Sequence, residues 1–223
     1  MNDHADIVKI DEYAQYVGSE TVERVKEKAR ALRHLHVAHV NSTYYGGGVA
    51  ELLGSLTILL NCLGIKNGWR VIQGSPDFFS VTKKMHNALQ GGEINLSELK
   101  KQIYEGVVYE NSLRNHLDHD RVFVHDPQPL PLIEHYRKRG PWIWRCHIDL
   151  SQPNEELWGY LGPFVEQYDA VILTLEEYAR DLETPHVFFM PAIDPFSIKN
   201  RRLSEEEMQD RLDYYDIPTD LPL

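Results

Sequence analysis

The sequence predicts an α/β fold in which a mostly parallel sheet is sandwiched between helices. Short apolar runs of four to seven residues alternate with longer helical patterns between positions 35 and 190. The runs are apolar nearly throughout, as expected of strands covered on both faces. A turn of three glycines, Gly46, Gly47 and Gly48, joins the first run to an apolar helix. A chain of 223 residues, 42% hydrophobic, is large enough to bury one such α/β core or two small ones.

Residues 20–32 (ETVERVKEKARAL) read as a charged helix, and 35–41 (LHVAHVN) as the first buried strand. After the glycine turn, Val49, Leu52, Leu53, Leu56, Leu59, Leu60 and Leu63 repeat at helical spacing and make one apolar face, with Gly64 placed to end the helix. A strand is expected at 70–73 and a helix at 78–89. Residues 96–117 form a longer helical stretch of mixed polarity. RVFVH (121–125) is a short strand, and Pro127, Pro129 and Pro131 punctuate the helix start after it. Strands at 142–148, 170–174 and 187–190, with a helix at 155–168, bring the total to about six strands. Trp142 and Trp144 share one strand face and read as core. The tail reads PAIDPFSIKN, then a charged helix (SEEEMQDRLDYY), then IPTDLPL, with too few apolar residues for a second core.

Composition narrows the function. A formal charge of −11 argues against a nucleic-acid or anionic-membrane partner, because both need a basic surface. No run of about 18 apolar residues occurs, so no transmembrane helix is expected. The polar first nine residues lack the apolar run of a secretory leader, and a cytoplasmic protein is expected. Two cysteines make no disulfide framework. Cys62 in an apolar helix and Cys146 in an apolar strand both read as small core residues.

The glycine turn lies between a strand and a helix, where open α/β sheets bind ligands. Glycines allow close backbone approach, and the helix dipole favours a phosphate or a partly negative oxygen. A tight βα connection without a ligand explains the same letters. A dinucleotide fingerprint is disfavoured because Glu51 stands where its third small residue is needed, and the end of the second strand, Ile72, Gln73 and Gly74, offers no acid for a ribose. A phosphate-binding P-loop is excluded because no Gly-Lys pair exists. His125-Asp126 and His147-x-Asp149 each end a predicted strand at the edge that carries the glycines, which suggests a cleft. A loop-bound His147 and a turn-capping Asp149 are the plainer readings. His34, His36 and His39 lie on or before the first strand without an evident third ligand, so no metal site is expected. His116 and His119, on a polar helix end, read as solvated. No nucleophilic triad can be assembled.

Four motifs in order carry a resemblance: NSTYYGGGVAE (41–51), VHDPQP (124–129), WIWRCHIDLS (142–151) and MPAIDP (190–195), supported by VTKKMHNALQG (81–91). Together they resemble the trehalose glycosyltransferring synthases, retaining GT-B enzymes of glycosyltransferase family 4. The related retaining trehalose phosphorylases are similar too. The resemblance runs from about Tyr13 to Asn200.

It implies one Rossmann-like half of a two-domain GT-B fold. Residues 1–190 would be the acceptor-side N-terminal domain, and 191–223 a linker toward a C-terminal domain that holds the nucleotide. It implies glucose and ADP- or UDP-glucose, or trehalose, as ligands, with no cofactor because the nucleotide-sugar is a substrate. By position, Gly46, Gly47 and Gly48 would approach the diphosphate or the reacting sugars. His147 would line the site as the catalytic candidate, and Asn41, Arg145 and Asp149 would meet sugar hydroxyls. The family's basic pair and Glu-x7-Glu motif lie in the C-terminal domain, so a chain cut at the domain boundary is expected to bind ligand without turning it over. Members of the family can be dimeric, which makes a homodimer an expectation. A non-catalytic sugar-binding module is the alternative from another class.

Overall fold

A computed structural model describes residues 9–197, 199–200 and 202–218. The described residues fall into two compact units, one ending at Ala192 and the other starting at Ile193. The first holds a six-stranded sheet, every strand parallel to its neighbours: β1 (His36–Asn41), β2 (Lys66–Val71), β3 (Arg121–His125), β4 (Trp142–Arg145), β5 (Ala170–Leu173) and β6 (His186–Phe188). The order across the sheet is β2-β1-β3-β4-β5-β6. This is the predicted Rossmann-like α/β arrangement.

The helices of this unit are α1 (Ala14–Val17), α2 (Ser19–Leu32), α3 (Gly48–Cys62), α4 (Pro76–Leu89), α5 (Glu98–Arg114) and α6 (Glu155–Val165). The second unit contains α7 (Glu205–Tyr214), which starts with a reciprocal capping box between Ser204 and Glu207. Local chemistry sets several other boundaries. Ser75 caps α4 by accepting from the Phe78 amide, with Pro76 as the first helical residue. Asn154 caps α6 in the same way through the Leu157 amide. Gly64, at φ +83°, ends α3 as expected.

Two apolar clusters cover the two faces of the sheet. The larger joins Ala38, Val40, Val122, Val124, Trp142 and Trp144 of the strands to α4, α5 and α6. Both tryptophans are core, as their spacing predicts. The smaller cluster packs Val37 and Phe123 against α2 and the end of α3.

Three expectations are corrected. The second strand lies at Lys66–Val71, four residues before the predicted start. Its letters, KNGWRV, are polar because β2 is an edge strand paired to β1 alone. The prolines after β3 lead into a 3-10 helix, Leu130–His135, because they remove the amide donors that an α-helix would use. Cys62 is exposed rather than core, whereas Cys146 is buried.

Candidate functional site

The sheet order reverses between β1 and β3: the chain leaves β1 for β2 on one side and later returns to β3 on the other. In open α/β sheets this reversal splays the loops at the strand carboxyl ends and leaves a crevice between them. Here those loops are the glycine turn after β1 and His125-Asp126 at the end of β3. Arg145 and His147 stand at the end of the next strand, β4.

In the glycine turn, Gly46 and Gly47 lie at φ +75° and +82°, where a side chain would be strained. A Cβ at Gly46, Gly47 or Gly48 would meet nothing within 4 Å, so space is open around the turn. The first-turn amides of α3 have no intrahelical acceptor. Asn41 holds the turn from below. Its Nδ2 donates to the Thr43 carbonyl at 2.8 Å, and its Oδ1 accepts from Trp69 Nε1 at 2.8 Å. Tyr44 then rests edge-on against the Trp69 ring, 5.0 Å between centroids.

Asp126 is the most constrained residue of the second loop. Its backbone is left-handed, φ 61°, although it is not glycine. Bonds to β4 impose this pose: the Asp126 amide donates to the Arg145 carbonyl at 2.9 Å, and its carbonyl accepts from Trp144 Nε1 at 3.0 Å. The Asp126 carboxylate accepts from the His147 amide at 2.8 Å. Burial pushes its pKa up to about 6, against the opposing pull of that amide and of Arg145. A strained carboxyl poised near neutrality at a strand end has the character of a functional group.

Arg145 is buried and donates to the Leu173 carbonyl at 3.2 Å and the Phe189 carbonyl at 2.7 Å. It thereby staples the ends of β5 and β6 to β4. His147 is partly buried, and desolvation lowers its pKa to about 4. Its Nε2 lies 3.0 Å from His125 Nδ1, and His125 Nε2 lies 3.1 Å from His39 Nδ1. Asp149 accepts from the Ser151 amide at 2.8 Å, a turn-capping bond, and hydrogen bonding to the Ser151 side chain, then to this amide, holds its carboxyl below the usual range.

The structure therefore links Arg145 and His147 through Asp126, and places the glycine turn and Asn41 on the adjoining strand end. Asp149, by contrast, bonds within its own turn. Among the described residues, no group of three or more His, Cys, Asp or Glu side chains could hold a metal ion. His119 is buried at 5% exposure and packs against His36 with the rings tilted, not solvated as its polar surroundings suggest. Sequence reasoning did not single out Trp69, or His39 as a partner of His125. The indole had the wrong strand assignment, and the histidine contact exists only because β1 and β3 are neighbours.

The family described as "Trehalose synthase, N-terminal domain" matches residues 39–180. The match contains the glycine turn, Asp126, Arg145 and His147. The chain belongs to this family. It is 47% identical to trehalose synthases of Thermococcus litoralis and Pyrococcus furiosus over 219 residues, 96% of this chain and 53% of each relative. A trehalose phosphorylase of Pleurotus pulmonarius is 31% identical over 187 residues, 73% of this chain and 25% of that protein. The chain thus spans about half the length of the synthases it matches. Among the described residues, no helix is long and apolar enough to cross a membrane.

Proposed function

We propose that this chain forms the acceptor-side half of a retaining glycosyltransferase of GT-B type that joins glucose from a nucleotide-glucose to free glucose, giving trehalose. The observation that carries the reading is the convergence of the family-matching loops on the carboxyl ends of β1, β3 and β4, beside the reversal in strand order. The open turn at Gly46, Gly47 and Gly48 suits close approach of a diphosphate or sugar oxygen to the α3 amides. Asp126 and His147 would meet hydroxyls on the opposite side. Arg145 and Asn41, whose groups bond backbone and indole within the chain, would shape the site from behind. Asp149 would contribute through its turn. No cofactor is called for, because the nucleotide-sugar is itself a substrate.

Retention through the departing phosphate needs no protein nucleophile, which is consistent with the absence of a facing carboxylate pair among the described site residues. The charge on the leaving diphosphate must be compensated by cationic groups. Each such group contributes about 10²–10³ in rate, so this half alone is expected to bind ligand without measurable turnover.

The test joins this chain to the portion of the Thermococcus litoralis synthase that lies beyond the matched region. With ADP-glucose or UDP-glucose plus glucose, the chimera should form α,α-trehalose. Activity only with trehalose and inorganic phosphate would replace this reading with the phosphorylase one, favoured by the 31% identity to the fungal enzyme. Saturation-transfer NMR on the chain alone should show glucose contacts that disappear in Asp126→Ala.

A further inference from the structure

The histidines at the cleft edge form a line across three adjacent strands. His39 sits on β1, His125 ends β3 and His147 follows β4, joined by contacts of 3.1 Å and 3.0 Å between ring nitrogens. The rings of His125 and His147 lie 18° from parallel, and His39 stacks on Phe123. A nitrogen–nitrogen hydrogen bond needs one donor and one acceptor. Burial holds His39 and His147 neutral at pH 7, both near a pKa of about 4, and holds His125 well below its ordinary value. Each ring therefore carries one proton.

Only two proton arrangements satisfy both contacts. In one, His39 Nδ1–H donates to His125 Nε2, and His125 Nδ1–H donates to His147 Nε2. The proton of His147 is then on Nδ1. In the other, all three protons sit on Nε2 and both bonds run in the reverse direction. The ends of the line distinguish them. His39 Nε2 is buried without a hydrogen-bond partner among the described residues. The reverse arrangement would leave there a buried N–H with no acceptor, whereas the forward one leaves a bare lone pair. A buried donor without an acceptor is the rarer and costlier of the two. The other end is neutral in this comparison: His147 is only partly buried, and its Nδ1 has no hydrogen-bond partner among the described residues. It can exchange hydrogen bonds with solvent or ligand in either form.

We propose that His39 and His125 are positioning residues that fix His147 as its Nδ1–H tautomer, so that it faces the cleft as a hydrogen-bond donor and not as a base. The ligand atom it meets is accordingly an acceptor, such as a hydroxyl or phosphoryl oxygen. The inference concerns a ring proton in the free chain and does not depend on which sugar is transferred.

Long-range ¹H–¹⁵N correlation spectra of the labelled chain at pH 7 test it directly. A protonated-type Nδ1 and an unprotonated-type Nε2 are expected for His39, His125 and His147. A protonated Nε2 at His147 overturns the proposal. In His125→Phe, His147 loses its donor and is expected to shift toward the Nε2–H form that isolated histidine side chains prefer. An unchanged His147 tautomer in that variant overturns the relay as its cause. The wild-type spectrum decides the direction by itself should the variant fold poorly.

Discussion

At Asp126 two costs coincide: a left-handed backbone, worth on the order of 1–3 kcal/mol in a non-glycine residue, and a carboxyl held up near pKa 6. The sign of the second follows from linkage. A carboxyl raised above its unfolded value opposes folding once it ionises, so the cost is absent below about pH 4 and complete above about pH 6. Asp126→Asn keeps an oxygen for the His147 amide and tolerates the left-handed pose. It is expected to raise the urea midpoint at pH 7.5, by roughly 1–3 kcal/mol in stability, and to change it little at pH 4.5. An equal loss at both pH values would refute the assignment. The histidines act in the opposite direction. His39 and His147, lowered from 6.5 to about 4, contribute stability above pH 6.5 that is lost as pH falls toward 4, and His125 shifts the same way. Three lowered rings outweigh one raised carboxyl, so wild-type unfolding in urea should occur at lower denaturant at pH 5 than at pH 7. The identity of Asp126 was legible in the sequence, but its pose was not. A residue before proline is ordinarily held to extended backbone, and here bonds from Arg145 and Trp144 on another strand override that rule.

Within the βα turn, the neighbouring glycines separate conformation from ligand contact. Gly47 needs φ +82°, so Gly47→Ala should cost about 1–2 kcal/mol in urea unfolding although its Cβ has room. Gly48 has room too, needs no positive φ, and is the first residue of α3. Gly48→Ala should leave stability within about 0.5 kcal/mol of wild type. If the turn cradles a substrate, the same substitution should still weaken ligand binding or the chimera's rate severalfold. An unchanged rate would make the turn a mere connection. The turn, the strand before it and the helix after it were all readable, because glycine clustering and a helical apolar repeat are local signals. β2 was placed late because an edge strand of polar letters lacks the apolar run by which strands are recognised. Gly140 was silent for a different reason. A Cβ there would collide with the Asp120 carbonyl, a contact between segments that no local pattern encodes.

Burial is uneven across the unit that ends at Ala192. The face covered by α4, α5 and α6 contains the fully buried Phe78, Tyr104, Trp142 and Trp144, whereas α3 buries only Ala50 and Leu53 completely along its length. The apolar face predicted for α3 is present, but Val49, Leu52, Leu56, Leu59 and Leu60 are half-buried, and β2 beside it is exposed or half-buried throughout. Periodicity reveals which side of a helix is apolar; it does not reveal how completely the rest of the fold covers that side. Truncation should therefore cost different amounts on the two faces. Phe78→Ala removes a side chain at 0% exposure and should destabilise by about 3–5 kcal/mol, whereas Leu59→Ala on α3 should cost about 1–2 kcal/mol because part of its surface already meets water. Local opening should follow the same gradient. Amides of β3 and β4, each flanked by strands on both sides, are expected to exchange with deuterium only on global unfolding, and those of β2 and α3 through smaller openings of lower free energy. The order is decisive for the site, because the glycine turn connects the protected β1 to the less protected α3. If α3 exchanged as slowly as β4, the turn would be as rigid as the sheet; the expected result instead makes its α3 side the part that adjusts when a ligand binds.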